Sequence, residues 1–128
     1  MFSHINIGIN DFALQHRFYA GLMEILGHKQ RFAESQWAAW QNAQGGRPLF
    51  IIAKPFDGKP ASPGNGQMTA FQVPERSIVD RAHAYALKNG GSDEGAPGLR
   101  PHYHANYYGA YFRDPEGNKL CVVCHSAE

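Results

Sequence analysis

One order of secondary structure occurs twice along this chain, on either side of a Pro- and Gly-rich break at residues 55–66. In the first half, residues 2–9 alternate between two faces as a strand does, and Ile residues occupy one of those faces. The helical spacing of apolar residues then predicts a helix between Asp11 and Gly27. Three short strands are predicted after it, at residues 28–32, 36–41 and 48–54.

The same order follows the break. We predict a strand, a helix, a short strand and a final hairpin, at residues 67–73, 75–89, 92–94, and 107–113 with 119–125. The hairpin turn contains Pro115, which suits the second position of a turn, and Gly117, which can adopt the positive φ that the turn needs. Each half therefore reads strand, helix, strand, strand, strand.

Two such units predict an α+β fold, in which two βαβββ units form a curved mixed β-sheet with an open cleft and with helices on the outer face. The chain is interpreted as a single domain, residues 1–128, with repeat unit one at 1–54, a linker at 55–66 and repeat unit two at 67–128. The repeat lies in the pattern and hardly in the side chains. Each sheet has one face without a helix, and these faces are expected to form the cleft.

A loop at residues 95–108 carries an unusual density of polar aromatic side chains for a segment that only has to bend. Its conspicuous members are Arg100, His102, Tyr103, His104 and Tyr107. Such groups stack on ligands and hydrogen-bond to them, so the loop is a candidate binding surface. The alternative is a packed surface loop with solvated histidines, in which Arg100 forms an ion pair with Asp93, Glu94 or Asp114.

Charge and composition exclude several classes of partner. The formal net charge is +1, which gives no indication of a nucleic-acid or membrane partner. No apolar run is long enough to span a bilayer and no signal peptide is recognised, so a cytoplasmic location is expected. Cys121 and Cys124 lie three residues apart in a predicted strand, on opposite faces, which opposes a disulfide and favours a structural function for both.

Several short motifs are spread along the two units: Ser3-His4-Ile5, Arg17-Phe18-Tyr19, Leu26-Gly27, Ala70-Phe71, Asp114-Pro115-Glu116-Gly117-Asn118, the Gly-rich loop at 95–100 and the ending Val123-Cys124-His125. In this two-unit arrangement the chain resembles the vicinal oxygen chelate superfamily, which includes glyoxalase I, extradiol dioxygenases and the fosfomycin- and bleomycin-resistance proteins. The resemblance covers essentially the whole chain, and within the superfamily the chain is most similar to a bacterial glyoxalase-like branch.

The resemblance implies a divalent metal ion on the concave face, held by His and Glu side chains from the first and last strands of each unit. The corresponding positions here are His4, Phe50, Met68 and Cys121, of which only His4 is a usual ligand of the family. We therefore predict no cofactor and an ordinary pocket where the metal site has largely been lost. A soft Cu(I) site and a divalent site completed by His104, His125 or a dimer partner are the alternatives. Cys121 and His125 share a strand face about 13 Å apart, too far for one ion.

Two functions compete. The first is a glyoxalase-like lyase or isomerase acting on a small oxygenated substrate. In it Arg100 holds a carboxylate or phosphate, His104 or His102 transfers protons, and Tyr103, Tyr107 and Tyr108 shape the pocket. The second is a non-catalytic binding protein of the bleomycin-resistance type, with aromatic walls chosen from Trp37 or Trp40, Phe50, Tyr107 and Tyr111. In both cases the resemblance implies a homodimer with a small-molecule ligand.

Overall fold

The computed structural model describes residues 1–128, which form two compact units at residues 1–63 and 64–128. Both units have the predicted order of elements, so the α+β assignment with two βαβββ units is confirmed. The elements of the first unit are β1 (His4–Gly8), α1 (Phe12–Leu26), β2 (His28–Glu34), β3 (Trp37–Asn42) and β4 (Leu49–Ala53). Those of the second are β5 (Thr69–Gln72), α2 (Arg76–Lys88), β6 (Ser92–Leu99), β7 (Tyr108–Arg113) and β8 (Lys119–Cys124).

Each unit contains one four-stranded mixed sheet, and the strand order is the same in both. In the first unit the order is β1-β4-β3-β2, with β1 parallel to β4 and the other pairs antiparallel. In the second it is β5-β8-β7-β6, with β5 parallel to β8. No helix of the chain is long and apolar enough to cross a bilayer.

Helix α1 begins and ends at the residues that its sequence indicates. The Asp11 carboxylate accepts a hydrogen bond from the Leu14 N–H at 3.0 Å, and Gly27 ends the helix with a φ of 83°. The buried side of α1 packs on one face of its sheet: Tyr19 lies 5.1 Å from the ring of Phe50 and 6.3 Å from that of Trp40. This contact identifies the helix-covered face of the first sheet.

The opposite face, which we call the far face of unit 1, follows from strand alternation. His4 pairs with Leu49, and Ala39 pairs with Ile51, which follows Leu49 by two residues on β4. These four residues therefore lie on the far face of unit 1. Ala39, Leu49 and Ile51 form a buried apolar cluster, against which Phe32 and Ala53 pack. The far face of unit 1 is therefore predominantly apolar.

In the second unit, helix α2 packs on the face that carries Phe112. His83 of α2 lies 6.2 Å from the Phe112 ring, and its Nε2 is 2.8 Å from the Asp93 carboxylate on β6. The far face of unit 2, opposite α2, carries Tyr111 and Cys121, which are cross-strand partners, and also Val123. Met68 has the same parity as Ala70, the partner of Cys121, and lies just before β5.

The turn before β8 is held by a single buried carboxylate. Asp114, only 2% exposed, accepts hydrogen bonds from the backbone N–H groups of Glu116 and Asn118 and from the Asn118 side chain, at 2.8–3.0 Å. Gly117 has a φ of 94°, where other residues would be strained. The predicted hairpin is confirmed, and the motif at residues 114–118 is explained by structure alone.

The observed element bounds lie within two residues of those predicted, except at the end of β6. Strand β6 was expected to end at residue 94 but extends to Leu99. It pairs with β7 through two irregularities of register, and these accommodate Gly95, Pro97 and Gly98 within a strand. The segment after β4 is tied back to the first unit, because the Asn10 side chain donates to the Ala61 carbonyl and accepts from its N–H.

Candidate functional site

A group of five polar side chains on and around the far face of unit 2 forms what we call the donor cluster: Arg100, Tyr107, Tyr111, Lys119 and Cys121. The hydroxyls of Tyr107 and Tyr111 lie 2.8 Å apart, and the Tyr107 hydroxyl is 3.8 Å from Cys121 Sγ. Burial is the main cause that raises the pKa of both phenols and of the thiol. All three groups are therefore protonated at neutral pH, and the proton of one phenol is donated to the other hydroxyl within the cluster.

Two cations lie against Tyr111. The Arg100 guanidinium is 5.5 Å and the Lys119 ammonium 5.8 Å from the centre of its ring. Arg100 also donates to the Ala96 carbonyl at 2.8 Å. The positive charges of Arg100 and Lys119 favour the thiolate form of Cys121, so they partly offset the increase in its pKa that burial causes.

The alternative prediction, an ion pair anchoring Arg100, is wrong. Its three candidate partners are engaged elsewhere: Asp93 binds His83, Glu94 binds Arg113, and Asp114 binds its own turn. Lys119 was missed by the sequence analysis, although it shares its strand face with Cys121 and that alternation could have revealed it.

The two histidines nearest this cluster form an imidazole pair, His104 and His125, which bond through His104 Nε2 and His125 Nδ1 at 2.8 Å. The backbone N–H of Asn106 donates to His104 Nδ1 at 3.1 Å, so that nitrogen carries a lone pair and the His104 proton is on Nε2. His104 consequently donates to His125 Nδ1, and the proton of neutral His125 is on Nε2. Both nitrogens of His104 are occupied, whereas His125 Nε2 has no partner within the chain.

The other aromatic rings of the loop pack edge-on or tilted beside the pair. Tyr107 lies 5.7 Å from the His104 ring and 5.3 Å from that of His125. Tyr103, which is 61% exposed, contacts Tyr107 at 4.8 Å and His102 at 4.3 Å. The structure thus brings together Arg100, Tyr103, His104, Tyr107 and Cys121 of the predicted site residues.

Tyr108 does not join them. Its hydroxyl donates to Asp80 of α2 at 2.6 Å and its ring lies under Arg76, on the helix-covered face. The prediction that Tyr108 shapes the pocket is therefore incorrect, because strand alternation turns it away from Tyr107 and Tyr111.

The predicted position of Phe50 also requires correction. Phe50 is 7% exposed and packs on Tyr19 under α1, so its side chain does not reach the far face of unit 1. In the observed registers Ile5 pairs with Phe50 and Thr69 with Leu120, so Phe50 corresponds to Leu120. The residue that corresponds to Cys121 is Ile51. The repeats had been aligned one residue out of step, and such a slip exchanges the two faces of a strand.

His4 and Met68 occupy the strand positions predicted for them. His4 is exposed at the start of β1, and its Nδ1 lies 2.9 Å from Ser3 Oγ. Met68 is 44% exposed. Trp37, on the far face of unit 1, packs at 4.4 Å on Phe32, while Trp40 is buried under α1. Cys121 and Cys124 are buried free thiols on opposite faces of β8, as the alternation predicted.

The donor set does not fit the metal that the resemblance implies. In the corrected alignment of the two units, Ile51 and not Phe50 corresponds to Cys121. The four positions that correspond to the family's metal ligands therefore carry one imidazole, one isoleucine, one thioether and one thiol. No group of three or more His, Cys, Asp or Glu side chains lies close enough to hold an ion. The imidazole pair fits no better, because a metal on His104 Nε2 would move its proton onto Nδ1, where the Asn106 N–H already donates.

Comparison with known proteins agrees with this architecture. The sequence profile of the glyoxalase/bleomycin resistance protein/dioxygenase superfamily matches residues 1–122. The chain belongs to this superfamily. A glyoxalase/bleomycin resistance protein from Albidiferax ferrireducens T118 has 34% sequence identity and a TM-score of 0.86, over 98% of this chain and 99% of that one.

Two more distant members of the superfamily share the fold. A glyoxalase-related enzyme from Fulvimarina pelagi has 21% identity and a TM-score of 0.73, over 97% of this chain and 87% of that one. A family enzyme from Burkholderia phytofirmans PsJN has 19% identity and the same TM-score, over 97% and 98% of the two chains. No protein with a curated description matches.

Proposed function

We propose that this member of the superfamily binds a small oxygenated molecule carrying a negative charge, at the donor cluster of unit 2. The observation that carries the proposal is the pair of cations at Tyr111: neither Arg100 nor Lys119 has a carboxylate partner in the chain. An aromatic ring balances the charge of a cation only in part, and the carboxylate or phosphate group of a ligand would balance the rest.

The neutral members of the cluster support a ligand rich in hydrogen-bond acceptors. Tyr107, Tyr111 and Cys121 retain their protons at neutral pH because burial raises the pKa of each. The imidazole pair presents a further N–H at His125. The two cations, the phenol whose proton is not used in the bond between the hydroxyls, and His125 therefore offer donors, which suits an oxyanion with additional oxygen atoms and disfavours a cationic or purely apolar ligand.

Recognition in this proposal needs no metal ion held by the protein. The family positions offer too few donors, and binding uses charge and hydrogen bonds from Arg100, Lys119 and the two phenols. Met68, just before β5 of unit 2, is assigned to the lining of the ligand site, Phe50 is withdrawn from it, and the function of His4 stays a prediction. A homodimer located in the cytoplasm belongs to the same proposal, and light scattering of the purified chain tests the oligomeric state.

A second candidate function is metal-independent catalysis of the lyase or isomerase type. The imidazole pair favours it, since linked imidazoles beside a bound substrate are suited to polarising a carbonyl or to moving a proton. Binding without turnover has better support, because both nitrogens of His104 are occupied and the phenols and thiol of the cluster are protonated. Within the donor cluster and the imidazole pair, no group is free to act as a base.

Calorimetric titration with pentanoate and with inorganic phosphate tests the proposal and separates carboxylate from phosphate recognition. Arg100→Ala should weaken binding by about 1.5–3 kcal/mol, the range for a hydrogen bond to a charged group. The matched control is Arg31→Ala, because Arg31 is exposed on unit 1 and contacts only Gln41. Equal affinity in the two variants, or no binding of either probe, would disprove the proposal.

Metal analysis completes the test. Protein purified without chelator should contain no stoichiometric divalent metal, and EDTA should leave probe affinity unchanged. Stoichiometric metal that disappears in His4→Ala would show that the family site persists and would overturn the metal-independent part of the proposal.

A further inference from the structure

We propose that His125 is a ligand-binding residue, which donates its Nε2–H to a neutral oxygen of the ligand, and that His104 is the residue that positions it. This rests on the proposed function and names the second recognition element of the same site. The sequence analysis assigned His104 the direct function, whereas the hydrogen bonds assign it to His125.

The direction of the hydrogen bonds in the imidazole pair carries the argument. A backbone N–H can only donate, so the Asn106 N–H bond at 3.1 Å requires a lone pair on His104 Nδ1. The His104 proton is then on Nε2 and is donated across 2.8 Å to His125 Nδ1. In the neutral pair, His125 must therefore carry its proton on Nε2, which has no partner in the chain.

The same bonds limit what His125 can do. To accept a proton on Nε2 while neutral, His125 would have to carry its proton on Nδ1, where the Nε2–H of His104 already points. Within this network His125 is a fixed donor that polarises an oxygen, and it is not a base.

The position of His125 defines the ligand class. Its ring lies 5.3 Å from the ring of Tyr107, whose hydroxyl joins the donor cluster. That hydroxyl bonds to the hydroxyl of Tyr111, whose ring the two cations contact, so the Tyr107 side chain separates the imidazole from the cations. The ligand is therefore a carboxylate or phosphate with a carbonyl or hydroxyl oxygen several bonds from the anionic group.

Matched probe acids test this assignment. The oxo acids 4-oxopentanoate and 5-oxohexanoate carry a ketone oxygen that pentanoate and hexanoate lack. At least one oxo acid should bind about two- to tenfold more tightly than its parent acid, the gain expected from one hydrogen bond. His125→Phe should abolish that gain, so that each oxo acid and its parent acid bind this variant with equal affinity.

Conservative variants distinguish a donor from a base. In His125→Gln the side-chain N–H₂ replaces the Nε2–H, so most of the gain should return. His104→Phe should reduce the gain in the wild-type background but have no further effect in His125→Phe, because it acts through His125. Long-range ¹H–¹⁵N spectra at pH 8 should show His104 and His125 both protonated on Nε2.

Failures of the two proposals can be told apart. If pentanoate and hexanoate do not bind, or bind independently of Arg100, the proposed function and this inference both fall. If they bind through Arg100 but neither oxo acid gains affinity, or the gain survives in His125→Phe, only the assignment of His125 is overturned. A gain that is lost equally in His125→Gln and His125→Phe would contradict the donor function.

Discussion

The far faces of the two units share one topology and have opposite chemistry. On unit 1 the cross-strand positions are filled by Ala39, Leu49 and Ile51, a buried apolar cluster. On unit 2 the equivalent sheet positions carry Tyr111, Cys121 and Lys119, with Arg100 against them. The backbone pattern therefore determines where a face lies, and the side chains at alternate strand positions determine whether that face is apolar or carries polar and charged groups.

The largest expected effect comes from emptying the apolar face. Ile51→Ala should lower the free energy of unfolding by about 2–4 kcal/mol, because it removes buried methyl groups and leaves a cavity. Probe affinity should not change in the fraction that remains folded. Denaturant unfolding measures the first and titration the second. Ile51→Val is the control, with a cost of about 0.5–1.5 kcal/mol. A loss of probe affinity in Ile51→Ala at unchanged stability would break the distinction between the faces.

Removing a charge from the far face of unit 2 should change ligand affinity more than stability, the opposite of the result expected for Ile51→Ala. Lys119→Gln removes a cation beside Tyr111 and should weaken phosphate binding by about 1 kcal/mol, with little change in stability. The affinity of the wild type should also fall more steeply with added salt than that of the variant. Lys29→Gln, on strand β2 of the first unit, is the matched control, and an equal loss in both variants would indicate non-specific attraction.

Removing one hydroxyl of the Tyr107–Tyr111 pair is expected to have a smaller effect than either of these changes. Tyr111→Phe keeps the ring that the two cations contact but deletes the hydroxyl that bonds to Tyr107 at 2.8 Å. Stability should fall by about 0.5–1.5 kcal/mol, and probe affinity should fall with it if the hydroxyls face the ligand. Trp37→Phe on the far face of unit 1 should leave affinity unchanged. Unaltered affinity in both would confine the ligand to the cations and the imidazole pair.

The smallest effect concerns acid stability in unit 2. The hydrogen bond from His83, followed by that from the Gly95 N–H, lowers the pKa of Asp93 below 3.8. A carboxylate with a depressed folded-state pKa stabilises the protein above its unfolded pKa, and this contribution is lost as pH falls through the folded-state value. In Asp93→Asn, stability should therefore fall less steeply below about pH 4. Unfolding midpoints measured between pH 2 and pH 6 check this, and parallel profiles for the two proteins would contradict it.

Much of the fold was accessible from local patterns. The alternation of residues 2–9, the cap at Asp11, the ending at Gly27 and the turn at residues 114–118 each depend on short-range stereochemistry. The extension of β6 to Leu99 was not predictable in this way. Glycine and proline normally interrupt a strand, and only pairing with β7 through register shifts allows them there.

The candidate site was predicted in composition but not in detail. The density of Arg, His and Tyr indicated residues 100–107 as a candidate binding segment, and the structure brings Tyr107 of this segment beside Cys121. The sequence could not show that Lys119 would join Arg100 at Tyr111, because that proximity depends on the pairing of β7 with β8. It could not show that Phe50 is buried under α1, since a shift of one residue in register leaves the hydrophobic pattern almost unchanged while reversing the faces.

The sequence by itself determined the two-unit α+β fold, the resemblance to the superfamily and the poverty of metal ligands at its usual positions. These depend on periodicity, turn chemistry and residue type, all of which are local. Tertiary structure alone decided which side chains share a face and which nitrogen of each imidazole carries a proton. The protons of His104 and His125 are assigned by one backbone N–H and by a contact between residues 21 positions apart. Hydrogen-bond direction of that kind is a property of the folded chain.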